Sequence, residues 1–170
     1  MKIELKKISF NERMSEETSC FVADLYINGK KVGYCKNDGH GGCTDYHGDS
    51  KENNQIIAKA EEHFKSLPKV NAEGYDFEFQ PTLENAIDEQ LENYLKQKAE
   101  KKMQKLMQTA ILFGVPNGSS YTKLSWKSKT PLSGIPKNIL QQTIDEIKRK
   151  HCTNGIVILN TNLSALGITI

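Results

Sequence analysis

The sequence lacks three features that would assign it to a broad class at once: many cysteines, a long apolar run and an excess of one charge. Four cysteines in 170 residues are too few for a disulfide-stabilised scaffold. No stretch approaches the roughly 20 apolar residues that a membrane helix requires, and residues 1–7 alternate charged and aliphatic side chains, unlike a signal peptide. The 23 basic and 21 acidic residues leave a net charge of +2, too small to imply a nucleic-acid-binding protein by itself. We therefore expect a cytoplasmic protein without a membrane segment.

The apolar residues follow two periodicities, which together predict an α+β fold. Alternation over 2–10 and 19–36 predicts an N-terminal antiparallel hairpin sheet. Helical spacing predicts amphipathic helices packed on this sheet, a long central helix and a C-terminal strand–helix–strand arrangement. We expect a single compact domain, 1–170, that can divide into two lobes at 1–70 and 82–170.

The dipeptide Asn28-Gly29 predicts a hairpin turn, because both residues tolerate the positive φ angles of a type I′ turn. A two-residue turn places Leu25 opposite Val32 and fixes the rest of the register. The predicted core face carries Phe21, Ala23, Leu25, Ile27, Val32 and Tyr34. Cys35 would then lie on the opposite face near Cys20, with both thiols directed toward the segment that follows.

Two helices are predicted in the middle of the chain. Ser50 can cap a helix over 51–66, and Pro81-Thr82 opens an apolar stripe that predicts one helix over 82–112. The length of the second helix favours a homodimer formed through it. Its charges match the helix dipole, so we interpret them as a solvated face. The acidic residues of its first half are Glu84, Asp88, Glu89 and Glu92.

The C-terminal part of the sequence predicts a strand, a helix and a strand. Residues 122–126 alternate apolar and basic side chains. Pro136 is suited to the first position of a helix because its missing N–H is not needed there. The continuous aliphatic run 156–159 is typical of a strand that is covered on both faces. Residues 163–170 can add a last short strand.

Residues 37–49, which we call the glycine-rich segment, concentrate more polar chemistry than any other part of the sequence. The candidate binding residues are Asp38, Gly39, His40, Gly41, Gly42, Asp45, Tyr46 and His47. One interpretation is a bulged loop whose side chains bond to local backbone. A second is an anion nest, in which successive backbone N–H groups hold a phosphate or carboxylate. A third is a metal site.

The candidate metal ligands are Cys35, His40, Cys43 and His47. Cys43 and His47 could supply two zinc ligands, with a third from His40 or Cys35. The spacing lacks the paired C-x2-C motif of strong zinc signatures. The same segment, 35–49, could instead serve a zinc- or thiol-dependent hydrolase with Asp45 as base, because a neighbouring imidazole lowers the pKa of a thiol.

A further candidate is a nucleic-acid-binding module at Lys123, Lys127 and Lys129, where basic residues interleave with Trp126. Strand alternation directs Trp126 away from Lys123 and Lys127. This geometry favours a core position for the indole over a base-stacking role.

The sequence of 26–33, Tyr-Ile-Asn-Gly-Lys-Lys-Val-Gly, resembles small uncharacterised accessory proteins of bacteriophages and other mobile elements. The similarity continues through Asn-Asp-Gly-His-Gly-Gly at 37–42 and Tyr46-His47, and it covers about residues 20–50. Accessory proteins of this kind that lack an enzyme motif often act by binding. The resemblance therefore implies inhibition of a host defence protein or sequestration of a small signalling nucleotide.

The residues and the resemblance together predict a non-enzymatic binding protein. It would present the glycine-rich segment to a host protein or to a small anionic ligand. The alternatives are a hydrolase that uses the Cys/His/Asp-rich segment, with zinc as its cofactor, and a nucleic-acid-binding module. No sequence motif identifies a catalytic residue.

Overall fold

The computed structural model describes residues 1–71, 77–118, 120–126 and 129–170. The chain forms two compact units, Met1–Lys96 and Gln97–Ile170, and its helices and antiparallel sheets confirm the α+β class. The boundary between the units falls inside the long helix, whereas the sequence suggested the connector that precedes it. The reason is that the first half of this helix packs into the core of the first unit.

The first unit is built on a four-stranded antiparallel meander with the spatial order β1-β2-β3-β4. Its strands are β1 (Ile3–Phe10), β2 (Phe21–Ile27), β3 (Lys30–Asn37) and β4 (Asp45–Gly48). Helix α1 (Lys51–Ser66) follows, then the two-stranded ribbon of β5 (Val70–Asn71) and β6 (Glu78–Phe79), and then helix α2 (Leu83–Met107). In the sequence, Tyr75, Phe77 and Phe79 alternate and favour a short strand, which the structure confirms at β6, while Tyr75 itself lies outside the described residues.

Both helix starts agree with the sequence-based prediction. The Ser50 hydroxyl accepts a hydrogen bond from the backbone N–H of Asn53 at 3.1 Å, which satisfies one of the unpaired donors of the first turn of α1. At the start of α2, the Thr82 hydroxyl accepts from the Asn85 backbone N–H, and the Asn85 side-chain oxygen Oδ1 accepts from the Thr82 N–H, both at 3.0 Å. These caps fix where each helix begins.

The core of the first unit lies on one face of the sheet, under α1 and the start of α2. Its buried residues are Ile3, Phe21, Ala23, Leu25, Ile27, Val32, Cys35, Ile57, Ala60, Leu83, Ile87 and Leu91. Removing a leucine-sized side chain from water contributes roughly 1.5–3 kcal/mol. This common core holds the sheet and both helices in place.

The hairpin register departs from the prediction at Val32. Ile27 pairs with Lys30 as expected, but a bulge after Lys31 leaves Val32 unpaired and sets Leu25 opposite Gly33. Because side chains alternate with a period of two, one extra residue exchanges the faces of all later positions. Tyr34 is therefore exposed rather than in the core, and Cys35 is fully buried. The predicted proximity of Cys20 and Cys35 on the outer side is wrong for the same reason.

A second bulge lies in β1, where the register shifts between Lys6 and Ser9. Lys7 has a positive φ of 51° at this point, where the Lys6-Lys7 pair interrupts the alternation of apolar residues in the sequence and favours a bulge. The sheet face turned away from the core is called the outer face. By register it carries Glu4, Lys6, Ser9, Val22, Asp24, Tyr26, Lys31, Tyr34, Lys36, Asp45 and His47.

The second unit contains a three-stranded antiparallel sheet in the order β8-β7-β9. Its elements are β7 (Ala110–Gly114), β8 (Thr122–Ser125), α3 (Lys137–His151) and β9 (Val157–Ile158). Leu140, Ile144 and Ile147 of α3 pack with Ile111 and Phe113 of β7. The predicted strand at 122–126 and the helix after Pro136 are confirmed.

The long helix is shorter than predicted, because α2 ends at Met107 and residues 110–114 form the central strand β7. All five residues of β7 are buried, and Asn160 completes the hydrogen bonding of this strand. Its side-chain oxygen accepts from the Leu112 N–H at 2.6 Å and its amide donates to the Ala110 carbonyl at 3.0 Å. Helical periodicity alone could not detect these long-range partners.

Two further differences lie near the C-terminus. The predicted strand over 156–159 is reduced to the two residues of β9, and residues Ser164–Leu166 form a 3-10 helix instead of a strand. Within the described ranges, none of the helices has both the length and the apolar character needed to cross a membrane.

Candidate functional site

A cavity of about 460 Å³ lies in the first unit, beside the glycine-rich segment. We call it the acidic cavity. Its polar lining comes from Thr18, Ser19, Asn37, Thr44, Glu84, Asp88 and Glu92, and its apolar lining from Phe21, Leu91 and Leu95. Gly41, Gly42 and Cys43 form part of its rim. This volume is within the range of small-ligand sites.

Three carboxylates line the cavity from one side of α2. Glu84, Asp88 and Glu92 are spaced four residues apart, so they lie one above another on the same face of the helix. Among the ion pairs of the described residues, none includes any of the three. The cavity therefore concentrates negative charge without an ion-paired basic side chain among the residues that the structure describes.

Thr44 joins the glycine-rich segment to this acidic face. Its backbone N–H donates to Glu84 Oε1 and its hydroxyl donates to Asp88 Oδ1, both at 2.7 Å. Thr44 is buried, although it belongs to a polar segment. Hydrogen bonds to a charged acceptor are stronger than neutral ones, so Thr44 holds the segment against α2.

The environment of Asp88 disfavours its ionised form. The residue as a whole is exposed, but its carboxyl group turns toward Thr44 and the cavity. Desolvation at the carboxyl raises the pKa of Asp88, and the nearby Glu84 carboxylate raises it further, while the Thr44 hydrogen bond opposes both effects. A cation bound in the cavity would relieve this cost.

Asn37 organises the segment from the end of β3. Its side-chain oxygen accepts from the Thr18 hydroxyl at 2.8 Å and from the Gly39 N–H at 2.9 Å. Its amide donates to the Gly42 carbonyl at 2.9 Å and to the Thr44 hydroxyl at 3.4 Å. Asn37 is 8 % exposed, so one buried side chain fixes both ends of the loop.

The predicted anion nest comprises the backbone N–H groups of His40 to Cys43, and those of His40 and Gly41, like the adjacent Gly39 N–H, already have acceptors. Gly39 donates to Asn37, and Gly41 donates to the Thr18 hydroxyl at 3.2 Å. The His40 N–H donates to Asp38 Oδ1 at 3.3 Å. The loop thus has the geometry of the first interpretation, with side chains bonded to local backbone. A phosphate at these three groups would have to displace internal oxygens.

Gly39 is required for the close packing of this loop. Its φ is +91°, and a Cβ there would lie 2.0 Å from the Met14 carbonyl oxygen. That approach lets the Gly39 carbonyl accept from the N–H groups of Glu16, Glu17 and Thr18 at 3.0–3.3 Å. The glycine is explained by packing rather than by contact with a ligand.

The four predicted metal ligands point in different directions. Cys35 is in the core, where burial raises the pKa of its thiol to about 12, with added effects of Asp88 and Asp24. His40 Nδ1 lies 3.3 Å from Glu16 Oε2, and Cys43 is exposed at the cavity rim. His47 lies on the outer face, its ring centroid 5.7 Å from that of Tyr34.

These positions do not converge on one point. Within the part of the chain that the structure describes, no three His, Cys, Asp or Glu side chains are grouped to hold a metal ion. The bulge at Val32 accounts for the position of Cys35, because it turns that side chain into the core. Of the other three residues, only His47 lies on β4, where it faces outward, whereas His40 and Cys43 lie in the loop that precedes this strand.

The remaining predicted binding residues are also divided by β4. Asp45 is exposed on the outer face. Tyr46 faces the helices, and its hydroxyl donates to Glu61 Oε1 at 2.8 Å. Burial, together with the Glu61 carboxylate, raises the pKa of Tyr46. Tyr46 therefore links the sheet to α1, and it does not line the acidic cavity.

The predicted nucleic-acid residues lie in the second unit. Lys123 and Lys129 are exposed, and Lys127 lies outside the described residues. Trp126 packs against the core of this unit, which confirms its predicted core position. Its indole is therefore poorly placed to stack on bases.

Sequence reasoning missed the residues that make the cavity: Thr18, Asn37, Thr44, Glu84, Asp88 and Glu92. The spacing of the three acidic residues on one helix face was visible in the sequence, but it was interpreted as a solvated surface. The hydrogen bonds of Thr44 to Glu84 and Asp88, 40 and 44 residues further along the chain, distinguish a cavity wall from a solvated surface.

Comparison of the chain with protein-family models, curated proteins and solved structures found no match.

Proposed function

We propose that this chain is a non-enzymatic binding protein that accepts a positively charged group of its partner in the acidic cavity. The observation that carries the proposal is the row of three carboxylates along one wall of that cavity, without a basic side chain paired to them in the described ranges. Charge complementarity of this kind selects partners and orients them.

The lining of the cavity supports an elongated basic side chain as the group that enters. Leu91, Leu95 and Phe21 offer apolar surface next to Glu84, Asp88 and Glu92. Arginine and lysine combine an aliphatic stem with a charged end. An arginine can also bind a carboxylate through two parallel hydrogen bonds. A protein partner that presents such a residue fits better than a small anionic ligand.

The hydrolase alternative has less support. A thiol nucleophile needs a lowered pKa and a neighbouring base. Cys35 is buried with a raised pKa, and in the described contacts neither His40 nor His47 bonds to Cys43. The resemblance to phage accessory proteins is compatible with binding, and a host defence protein is the partner class that it suggests.

The first test measures binding of n-butylguanidinium chloride, which mimics an arginine side chain, by amide chemical shifts of the full chain. We expect saturable shifts at Thr44 and Cys43. The double variant Asp88→Asn/Glu92→Gln should weaken binding by up to about 30-fold, given up to about 1 kcal/mol for each exposed carboxylate. Neutral n-butylurea should cause no such shifts.

Glu89→Gln is the matched control, because Glu89 is exposed on the same helix but does not line the cavity. It should leave the affinity within about two-fold. Equal shifts with n-butylurea, or an equal loss in the Glu89 variant, would rule out a charge-selective cavity. Saturable shifts at Gly39 to Gly41 with inorganic phosphate would instead support an anionic ligand.

A further inference from the structure

The outer face of the first sheet combines exposed aromatic rings with lysines. Tyr34 is 40 % exposed and its ring lies next to that of His47 on the adjacent strand, with centroids 5.7 Å apart. Val22 on the same face is 51 % exposed. An antiparallel sheet can keep one face in water, but such faces are normally polar. Sheet formation alone therefore does not account for the exposed rings.

The register places these groups in rows across the sheet. Lys6, Asp24, Tyr34 and His47 follow one another across β1 to β4. Ser9, Val22, Lys36 and Asp45 form the next row. Neighbouring strands are about 4.8 Å apart and alternate residues on one strand about 6.6 Å apart. The Tyr34 and His47 rings, tilted by 48° to each other, thus lie side by side on β3 and β4. Lys36 lies two residues from Tyr34 on β3, and Lys6 lies two strands from Tyr34, beyond Asp24.

Among the described residues of this face, the charged side chains outside ion pairs are Lys6, Lys36 and Asp45, which lies opposite Lys36 in the register. Asp24 is bound by two lysines, with Lys31 Nζ at 2.9 Å and Lys7 Nζ at 3.4 Å. Lys6 Nζ lies 4.1 Å from the centroid of the Tyr26 ring. Within the described ranges, neither Lys6 nor Lys36 has a carboxylate at ion-pair distance. Both can therefore contact an anionic partner.

We propose that the outer face binds single-stranded nucleic acid, with bases stacked on Tyr34 and His47 and phosphates at Lys6 and Lys36. Exposed aromatic rings offer every base a stacking surface, and lysines bind the backbone without sequence preference. This site is separate from the acidic cavity, which lies on the helix side of the sheet. It belongs to the first unit, whereas Lys123 and Lys129 belong to the second.

The test is fluorescence anisotropy of labelled dT20 and rU20 with the full chain. We expect binding of at least one oligonucleotide at about 50 mM salt. Two phosphate contacts predict a slope of about −1.4 for the logarithm of the affinity against that of the salt concentration. A preference for rU20 or for dT20 shows whether the natural partner is RNA or DNA. Absence of binding to both would overturn the proposal.

Tyr34→Ala should weaken binding about five-fold or more, because it removes one stacking surface. Lys6→Gln/Lys36→Gln should bring the salt slope close to zero. Lys123→Gln is the matched control and should change neither quantity. Loss of binding in the Lys123 variant with full binding in the Tyr34 variant would place the site in the second unit and refute the assignment.

Two measurements distinguish nucleic-acid binding at the outer face from loss of folding and from self-association. Unchanged thermal unfolding of the Tyr34 variant shows that its loss is local, as expected for an exposed side chain. Sedimentation that reveals a dimer dissociated by Tyr34→Ala would assign the outer face to a second copy of the chain and overturn the proposal. The Glu84→Gln variant should bind oligonucleotides normally whether or not the acidic cavity binds cations.

Discussion

At the scale of single residues, Asn37 organises the loop beside the acidic cavity. Its side chain makes four hydrogen bonds that join β3, the loop and Thr18. Sequence reasoning did not identify Asn37, because an asparagine at the end of a strand usually indicates a turn. Its role depends on groups brought to it by the tertiary fold.

We expect Asn37→Ala to lower the free energy of unfolding by about 1–3 kcal/mol, since it leaves buried donors and acceptors without partners. Urea unfolding measures this loss. Asn93→Ala, at an exposed position of α2, is the control and should stay within about 0.5 kcal/mol. Equal stabilities of the two variants would refute the central role of Asn37.

Asp88 gives the chain a predicted pH dependence. Its pKa in the folded protein is raised above the ordinary value of 3.8 by desolvation first and by Glu84 second. The folded state therefore binds the proton more tightly than the unfolded state. This contribution to stability is complete below the ordinary pKa and is lost as the pH rises through the raised pKa.

Asp88→Asn removes this titration and keeps an oxygen for the Thr44 hydroxyl. Its stability relative to the natural chain should therefore increase from pH 3.5 to pH 7, a change that urea midpoints across the range will measure. Glu89→Gln controls for the loss of one charge. A difference that is constant with pH, or that declines toward pH 7, would contradict the raised pKa of Asp88.

At the scale of elements, the bulge in β3 and the close contact between β3 and β4 decide which side chains face the core and which lie on the outer face. The bulge at Val32 turns Cys35 inward and Tyr34 outward. Gly33, directly after the bulge, permits β4 to approach, because a Cβ there would lie 1.8 Å from the His47 carbonyl oxygen. Strand β4 can therefore pair with β3 only because residue 33 has no side chain.

Gly33→Ala should detach or displace β4 and destabilise the first unit by about 1–3 kcal/mol or more, as overpacking does. Urea unfolding with hydrogen exchange at the β4 amides measures the effect. Gly42→Ala is the matched control, since a Cβ at 42 has no neighbour within 4 Å. Unchanged exchange of the β4 amides in the Gly33 variant would contradict this account of the contact.

At the scale of the whole molecule, each unit has its own hydrophobic core. Both proposed sites belong to the first unit, one on each side of its sheet. The acidic cavity lies on the helix side and the lysine-bearing outer face on the other. The small net charge of +2 is therefore the sum of regions of opposite sign. The total charge did not indicate which partners each region could bind. A homodimer through the long helix stays a prediction.

The sequence by itself determined the features that depend on local physics. The Asn28-Gly29 turn, the Ser50 cap, the end of α1 before Pro68, and the apolar stripes of α1 and α3 were all predictable. Each depends on neighbouring residues, whose backbone preferences and spacing are written directly in the chain. The α+β class followed from these elements.

Only the tertiary structure decided the register and the sites. A bulge of one residue exchanged the faces of Tyr34 and Cys35. Residues 110–112, predicted as the end of the long helix, belong instead to the buried strand β7, which pairs with β8 and β9 and is hydrogen-bonded by Asn160. The acidic cavity required Thr44 to meet Glu84 and Asp88 across forty residues or more. Such contacts depend on long-range packing, which local periodicity does not encode.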